Sequence, residues 1–457
     1  MEYTIRPVLL AALVLFSGAI VADPRVHETV LDNGMKIIVK EDHRAPIMVS
    51  QVWYKVGSSY EPDGLTGISH VLEHMMFKGT DDLEPGEFSR IIAANGGTEN
   101  AFTGRDYTAY FQTMSRDRLE ISMKLEADRM RNLSLPDAEF AKEVEVVKEE
   151  RRLRTEDKPT GQVYEQFTAL AYRSLPYANP VIGWMNDLNN LQVGDLKEWY
   201  RLWYAPNNAT LVVVGDVEPA AVFELAQKYF GPLQREPVPA LKPLREPEQK
   251  GEVRSRVRVA AKEPYLIMGY KVPVITTAET EWEPYALEML AAVLDGGNSA
   301  RFSRNLFRGS EVATSAGADY SPFNRLPGLL LMDGTPAPGH SMDELESALR
   351  AEIARLQDEP VGEEELARVR TQVIASKVYQ LDSVFYQAME IGRLETVGLD
   401  WRLKDHYVDR LKQVTPEQVQ AVARKYLQDD NLTVTRLEPL PMDQAAAYQA
   451  AGGSDES

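Results

Sequence analysis

Two histidines stand four residues apart in the stretch His70-Val71-Leu72-Glu73-His74, with a glutamate beside the second. On a helix, positions i and i+4 share a face, so both imidazoles project side by side. Imidazoles so placed can ligate one ion, at about 2.0–2.1 Å for zinc. Glu73 is three residues from His70 and one from His74, close enough to hydrogen-bond a water at that ion. H-x-x-E-H is the reverse of the H-E-x-x-H metallopeptidase pattern, and it predicts metal-assisted hydrolysis with Glu73 as the base.

A catalytic zinc needs a third protein ligand and an open position. The chain has no cysteine, so that ligand must be Asp, Glu or His. His27, His43, His340 and His406 show no ligand spacing and read as surface or structural residues. The acidic run around Glu143-Val144-Glu145-Val146-Val147-Lys148-Glu149-Glu150 is the better source. Glu143 and Glu150 are seven apart and share a helix face two turns apart, with Val146 and Val147 near it. Spacing alone does not choose among Glu143, Glu145, Glu149 and Glu150, and a charged helix of this kind is also what a solvated face looks like.

These residues need a framework. A chain of 457 residues exceeds one hydrophobic core and predicts two or more domains. The net charge of -19 argues against nucleic acid or an anionic membrane as partner. Residues 1–22 combine Arg6, an apolar run from Val8 to Val21 and small residues at Ala19 and Ala22, and read as a signal peptide. That run is short for a spanning helix, and no cysteine is present to carry a lipid. The expected location is periplasmic, with no stable membrane anchor.

Alternating apolar residues predict strands at Met35–Val39, Ile47–Val56 and Ala101–Phe111, and an apolar strand follows Pro206. Helical periodicity begins near Gly67, recurs before Gly96-Gly97, and runs from Ser115 to Thr155. Residues 231–256 hold five prolines, and 236–256 are read as a linker. It separates an N-terminal domain, 23–235, from a C-terminal domain, 257–440. Residues 441–457 are expected to be a disordered tail. After the linker the order of elements recurs, and the stretches Tyr204–Leu211 and Tyr426–Leu432 look alike. Two similar α+β halves are the simplest account.

The segments around His70–Thr80, "NGGTENAFTGRDYTAYF" and "EVEVVKEERRLR" together resemble the pitrilysin/insulinase family of zinc peptidases. The half-size branch, with mitochondrial processing peptidase subunits and bacterial relatives, is the most similar. The resemblance spans roughly residues 25 to 440 and is most specific in the first half. It implies two processing-peptidase-type α/β domains, each a mainly antiparallel sheet packed with helices. It implies one zinc per chain on His70, His74 and Glu150, with Glu73 as base and Glu143 orienting a ligand. It also implies that peptide substrates add a strand to a sheet edge, here Asn100, Ala101, Phe102 and Thr103.

One feature departs from the family. Active members carry an Arg and a Tyr, seven apart, in the second half. Aligned on Ser299–Phe302, those positions are Phe307 and Thr314, with Arg308 and Tyr320 as shifted substitutes. The expectation is a zinc endopeptidase acting on unfolded peptides in an enclosed chamber, completed by a homologous subunit that supplies the Arg and Tyr. A homodimer is the alternative assembly. A non-catalytic peptide-binding or assembly subunit that retains zinc is the alternative function.

Overall fold

Asn33-Gly34 turns the chain between its first two strands, with Gly34 at φ +92°, and the alternating apolar segments beyond it form a sheet. The structure is a computed structural model that describes residue 23 and residues 25–441. The segments read as a signal peptide and, from 442 on, as a tail lie outside the described residues. The first sheet comprises β1 (Val26–Val30), β2 (Lys36–Glu41), β3 (Ile47–Tyr54), β4 (Thr98–Thr103), β5 (Thr108–Ser115) and β6 (Ala209–Gly215). The second comprises β7 (Val253–Ala260), β8 (Tyr265–Val272), β9 (Ala313–Tyr320), β10 (Gly328–Pro336) and β11 (Leu432–Leu440).

The strand orders are β1-β2-β6-β3-β5-β4 and β7-β11-β8-β10-β9. β2 pairs parallel with β6, β7 pairs parallel with β11, and every other pairing is antiparallel. Apart from β1, the sheets therefore match strand for strand. A helix and a short 3-10 turn precede both β6 and β11, where the sequence stretches looked alike. The fold is α+β, with two sheets of like topology packed with helices.

The helical run expected from Ser115 to Thr155 is divided. After α1 (Ile68–Met75) and α2 (Glu87–Ala94) come α3 (Leu119–Arg131) and α4 (Asp137–Arg151). Leu135, at φ +45°, and Pro136 break the chain between α3 and α4, since the residue before proline avoids the helical region. α4 passes into a turn of π-helix at Arg152–Glu156, then α5 (Pro159–Ala171). Val146 is 48% exposed while Val147 is fully buried, so the two valines do not share a face. β7 starts at Val253, inside the stretch read as linker, because the last proline there is Pro247 and an alternating pattern follows it.

The halves exchange helices. α5 of the first half lies on the second sheet, where Phe167 and Val163 pack with Ile267 and Leu437. Helix 384–396 of the second half lies on the first sheet, where Ala388 and Ile391 pack with Ile38, Val49 and Trp53. Each contact uses a glycine against an aromatic ring: Gly269 of β8 faces Phe167, and Gly392 faces Trp53 of β3. Ion pairs add to the junction, with Lys36 Nζ 3.0 Å from Glu395 Oε2. Among the described residues no helix is long and apolar enough to cross a membrane.

Candidate metal centre

α1 is short and two-faced. Ile68, Val71, Leu72 and Met75 are buried in the first core, at the i, i+3, i+4, i+7 spacing of an amphipathic helix. That packing turns His70, Glu73 and His74 toward the second face. Gly67 starts the helix in the left-handed region, at φ +86°. A side chain there would meet the Ile182 carbonyl at 2.6 Å, so glycine lets the Ile182–Gly183 backbone close over the helix start. Glu61 caps the N–H groups at the helix start: Gly67 N–H donates to Oε2 and Ser69 N–H to Oε1, each at 2.8 Å. Such groups have no partner within the helix, and a carboxylate there also suits the helix dipole. Burial pushes the Glu61 carboxyl up to about 7, against the pull of these two N–H groups.

α4 packs against α1 and ends at the site. Glu150 Oε2 lies 3.7 Å from His70 Nε2 and 3.6 Å from His74 Nε2. One donor atom from each of the three lies within 4.8 Å of the others. Ligands at 2.0–2.1 Å from a tetrahedral ion stand roughly 3.3 Å apart, so the group fits zinc with little movement. The other Glu150 oxygen is held by Arg154 Nη1 at 2.6 Å, which leaves one oxygen facing the imidazoles. Burial, with His74 and Arg154 nearby, pushes His70 down to about 3. His70 is therefore neutral at ordinary pH, the state a metal ligand requires.

The surrounding shell orients the same atoms. His74 Nδ1 lies 3.2 Å from Glu143 Oε2, so a proton on Nδ1 leaves Nε2 free to ligate. Lys78 Nζ holds the other Glu143 oxygen at 2.6 Å. Thr103 Oγ1 donates to Glu73 Oε2 at 2.5 Å. Burial raises the Glu73 carboxyl, against the Thr103 hydrogen bond and the charge of His74. A cavity of about 710 Å³ opens over these residues. Asn100, Ala101, Phe102 and Thr103 line it from β4, the outer strand of the first sheet, whose far edge pairs with no strand among the described residues.

The structure thus gathers His70, Glu73, His74, Glu143, Glu150 and Asn100–Thr103 in one place. It does not bring the second-half candidates there, because every residue lining the cavity lies between His70 and Ile182. Phe307 packs against the second core. Thr314 Oγ1 bonds the Thr335 carbonyl, Arg308 bonds Asn298, and the Tyr320 hydroxyl is bound to the Pro273 carbonyl. Lys78, Arg154 and the cap from Glu61 were not anticipated. Lys78 follows His74 by four and Arg154 follows Glu150 by four, spacings that could have pointed to both. Glu61 reaches its helix across a loop and carries no such signal.

Comparison with known proteins assigns the chain to a family. The family model "Insulinase (Peptidase family M16)" matches residues 36–184, and "Peptidase M16 inactive domain" matches 190–373. Zinc protease PqqE of Helicobacter pylori is 34% identical over 365 residues, covering 78% of this chain and 80% of its own. The chain belongs to the half-size branch of the M16, or pitrilysin/insulinase, family. A crystal structure of a protease from Helicobacter pylori superposes with a TM-score of 0.86 at 30% identity, covering 91% of this chain and 100% of that one. The mitochondrial-processing peptidase subunit beta of Arabidopsis thaliana, so named as probable, is 23% identical, with 92% of this chain and 80% of that one covered. The M16 model in the first half contains all the ligand candidates, and the one described as inactive contains Phe307 and Thr314.

Proposed function

We propose that this M16 chain is a zinc-dependent endopeptidase for extended peptides and unfolded polypeptides, and the catalytic subunit of a heterodimer. The observation that carries the reading is the convergence of His70 Nε2, His74 Nε2 and Glu150 Oε2 beside the half-buried carboxylate of Glu73. Those three residues would hold the ion, with Glu143 fixing the His74 tautomer. Bound there, zinc would supply Lewis acidity toward a scissile carbonyl and toward water. Glu73 keeps Oε2 on the Thr103 hydroxyl and offers Oε1 to take a proton from water and pass it to the leaving amine. The raised Glu73 carboxyl favours that return. The open edge of β4 binds substrate backbone at Asn100–Thr103, a mode that reads main chain more than side chains.

The partner is inferred from the cavity wall. It draws on first-half residues alone, and Phe307 and Thr314 occupy the sequence positions that align with the Arg and Tyr of active family members. A homologous subunit carrying that pair completes the chamber, with a homodimer as the alternative. The apolar run before residue 23 supports export to the periplasm. A second reading, a peptide-binding or assembly subunit that keeps zinc without cleavage, draws on the inactive-domain description of residues 190–373.

The test is hydrolysis of a quenched, unstructured peptide library by the mature chain, alone and with an Arg/Tyr-bearing homologue, against Glu73→Gln. Cleavage that needs the homologue and is lost in the variant is the expected result. Equal cleavage without it removes the heterodimer, and no cleavage in either mixture with zinc bound favours the binding subunit.

A further inference from the structure

The turn that follows β4 is fixed by its neighbours. Gly104 N–H donates to the Tyr107 carbonyl at 2.8 Å, Ser58 N–H to the Gly104 carbonyl at 3.2 Å, and Ser59 N–H to the Arg105 carbonyl at 2.7 Å. Asp106 is buried. Its carboxylate accepts from the Ser59 hydroxyl at 2.7 Å, from the Tyr177 hydroxyl and from Arg325 N–H at 3.0 Å, and Arg325 Nε stands 3.4 Å from it. Asp106 is thus taken up by Arg325 and leaves its neighbour Arg105 uncompensated. The Arg105 side chain lines the metal-site cavity. Its guanidinium carbon lies 5.2 Å from the centre of the Tyr177 ring, with Tyr164 and Tyr172 nearby. Among the described residues no hydrogen bond or ion pair engages that guanidinium. The other arginine lining the cavity, Arg154, is held on Glu150 at 2.6 Å. Glu165 of the same wall binds Arg151 through both oxygens, at 2.7 and 2.9 Å.

We propose that Arg105 anchors a carboxylate of the bound peptide, supplied by an Asp or Glu side chain or by the C-terminus. The proposal rests on the reading of β4 as the edge that pairs with substrate. Arg105 follows Thr103 by two positions, so a chain paired along Asn100–Thr103 comes beside it within about two residues of the paired segment. A guanidinium offers two parallel N–H donors that match the two oxygens of a carboxylate. The Tyr177 ring supports the guanidinium without neutralising its charge. The turn is already ordered, so little backbone freedom is lost on binding. The net charge of -19 repels an acidic peptide as a whole, but salt screens that field over about 8 Å. A carboxylate seated on Arg105 is in contact, well inside that length. Acid at one register therefore tightens binding, and acid elsewhere does not.

The test measures binding to the Glu73→Gln chain of fluorescent peptides built on one neutral sequence. Asp is compared with Asn at each position in turn, and a free C-terminus with an amidated one at several lengths. At one position the Asp peptide, or at one length the free carboxylate, binds about tenfold more tightly, the scale of a hydrogen bond to a charged partner. A difference between Asp and Asn assigns the carboxylate to a side chain, and a difference between free and amidated ends assigns it to the C-terminus. Adding Arg105→Gln reduces the ratio to about twofold or less, while Arg105→Lys, which keeps the charge without the fork, holds it above about threefold. Equal affinities across the scan and for both ends overturn the anchor, as does a ratio that survives Arg105→Gln or is the same at every position. Should Arg105→Gln bind no peptide, Arg105→Lys decides, and a ratio near unity there overturns the anchor. Hydrolysis by the Glu73-bearing chain is read separately. A carboxylate preference without cleavage keeps the anchor and removes the peptidase reading, and cleavage without a preference does the reverse.

Discussion

Glu143 Oε2 stands 3.2 Å from His74 Nδ1, and Lys78 holds the other Glu143 oxygen at 2.6 Å. Glu143 and Lys78 thereby set which His74 nitrogen points at the candidate metal position. Removing the carboxylate with Glu143→Ala should weaken zinc binding by about 10–100-fold, the usual cost of losing such a partner. Competition with a chromogenic chelator measures it. A zinc affinity within about twofold of the parent would show that Glu143 does not orient the ligand.

Glu73 lies beside the three ligand candidates without being one. Glu73→Gln should keep zinc at one ion per chain while peptide hydrolysis falls by at least about 100-fold, the lower range for a lost general base. Metal analysis and initial rates on the same preparation decide it. Loss of zinc in this variant would instead make Glu73 a ligand.

The candidate ligands His70 and His74 sit on one face of α1, and the opposite face is core. His70→Ala should therefore abolish stoichiometric zinc and leave the secondary structure intact. Chelation of the parent should lower its Tm and remove the dependence of Tm on added zinc, as mass action requires for a ligand bound only by the folded chain. Circular dichroism with a zinc titration is the measurement. Unfolding on chelation would mean that the ion is structural.

Glu61 gives a pH dependence with a definite sign. Its folded carboxyl is raised to about 7 from an ordinary value of 4.5. A raised carboxyl favours folding most below the unfolded value, and that contribution is lost as pH rises from about 4.5 through about 7. Glu61→Gln removes the titration but leaves an amide nitrogen facing one backbone N–H, costing about 1–3 kcal/mol. The variant should be the less stable at pH 4.5, with the gap narrowing toward pH 7.5. Thermal melts across that range check it, and a constant gap would contradict it.

Gly392 lies so close to Trp53 that an added methyl would stand 2.2 Å from the indole, and one at Gly269 would stand 2.5 Å from the Phe167 ring. Overpacking at such contacts costs about 1–3 kcal/mol. Gly392→Ala and Gly269→Ala should each lower the Tm, and each should loosen the junction between halves. Limited proteolysis at residues 231–252, the irregular stretch between the sheets, should accelerate in both. Unchanged melting and proteolysis would show that the exchanged helices tolerate displacement.

By itself the sequence determined the family, the H-x-x-E-H pair and the repeated order of elements. Those features are local: a helix period fixes which residues share a face, and a strand period fixes alternation. The third ligand candidate was legible only through resemblance, since Glu143, Glu145, Glu149 and Glu150 all sit on one charged helix. The tertiary structure separated them. Packing of α4 on α1 aims Glu150 at both Nε2 atoms and Glu143 at Nδ1, a choice made by contact across many residues of chain. The same holds for Glu61, whose cap is formed over a loop, and for the exchange of α5 and helix 384–396. It holds also for the chain's second-half residues: only the folded chain shows Phe307 and Thr314 outside the cavity lining and Phe385 packed on Phe111 of the first sheet. Spacing along a chain fixes neighbours within an element, while burial of apolar faces fixes which elements meet.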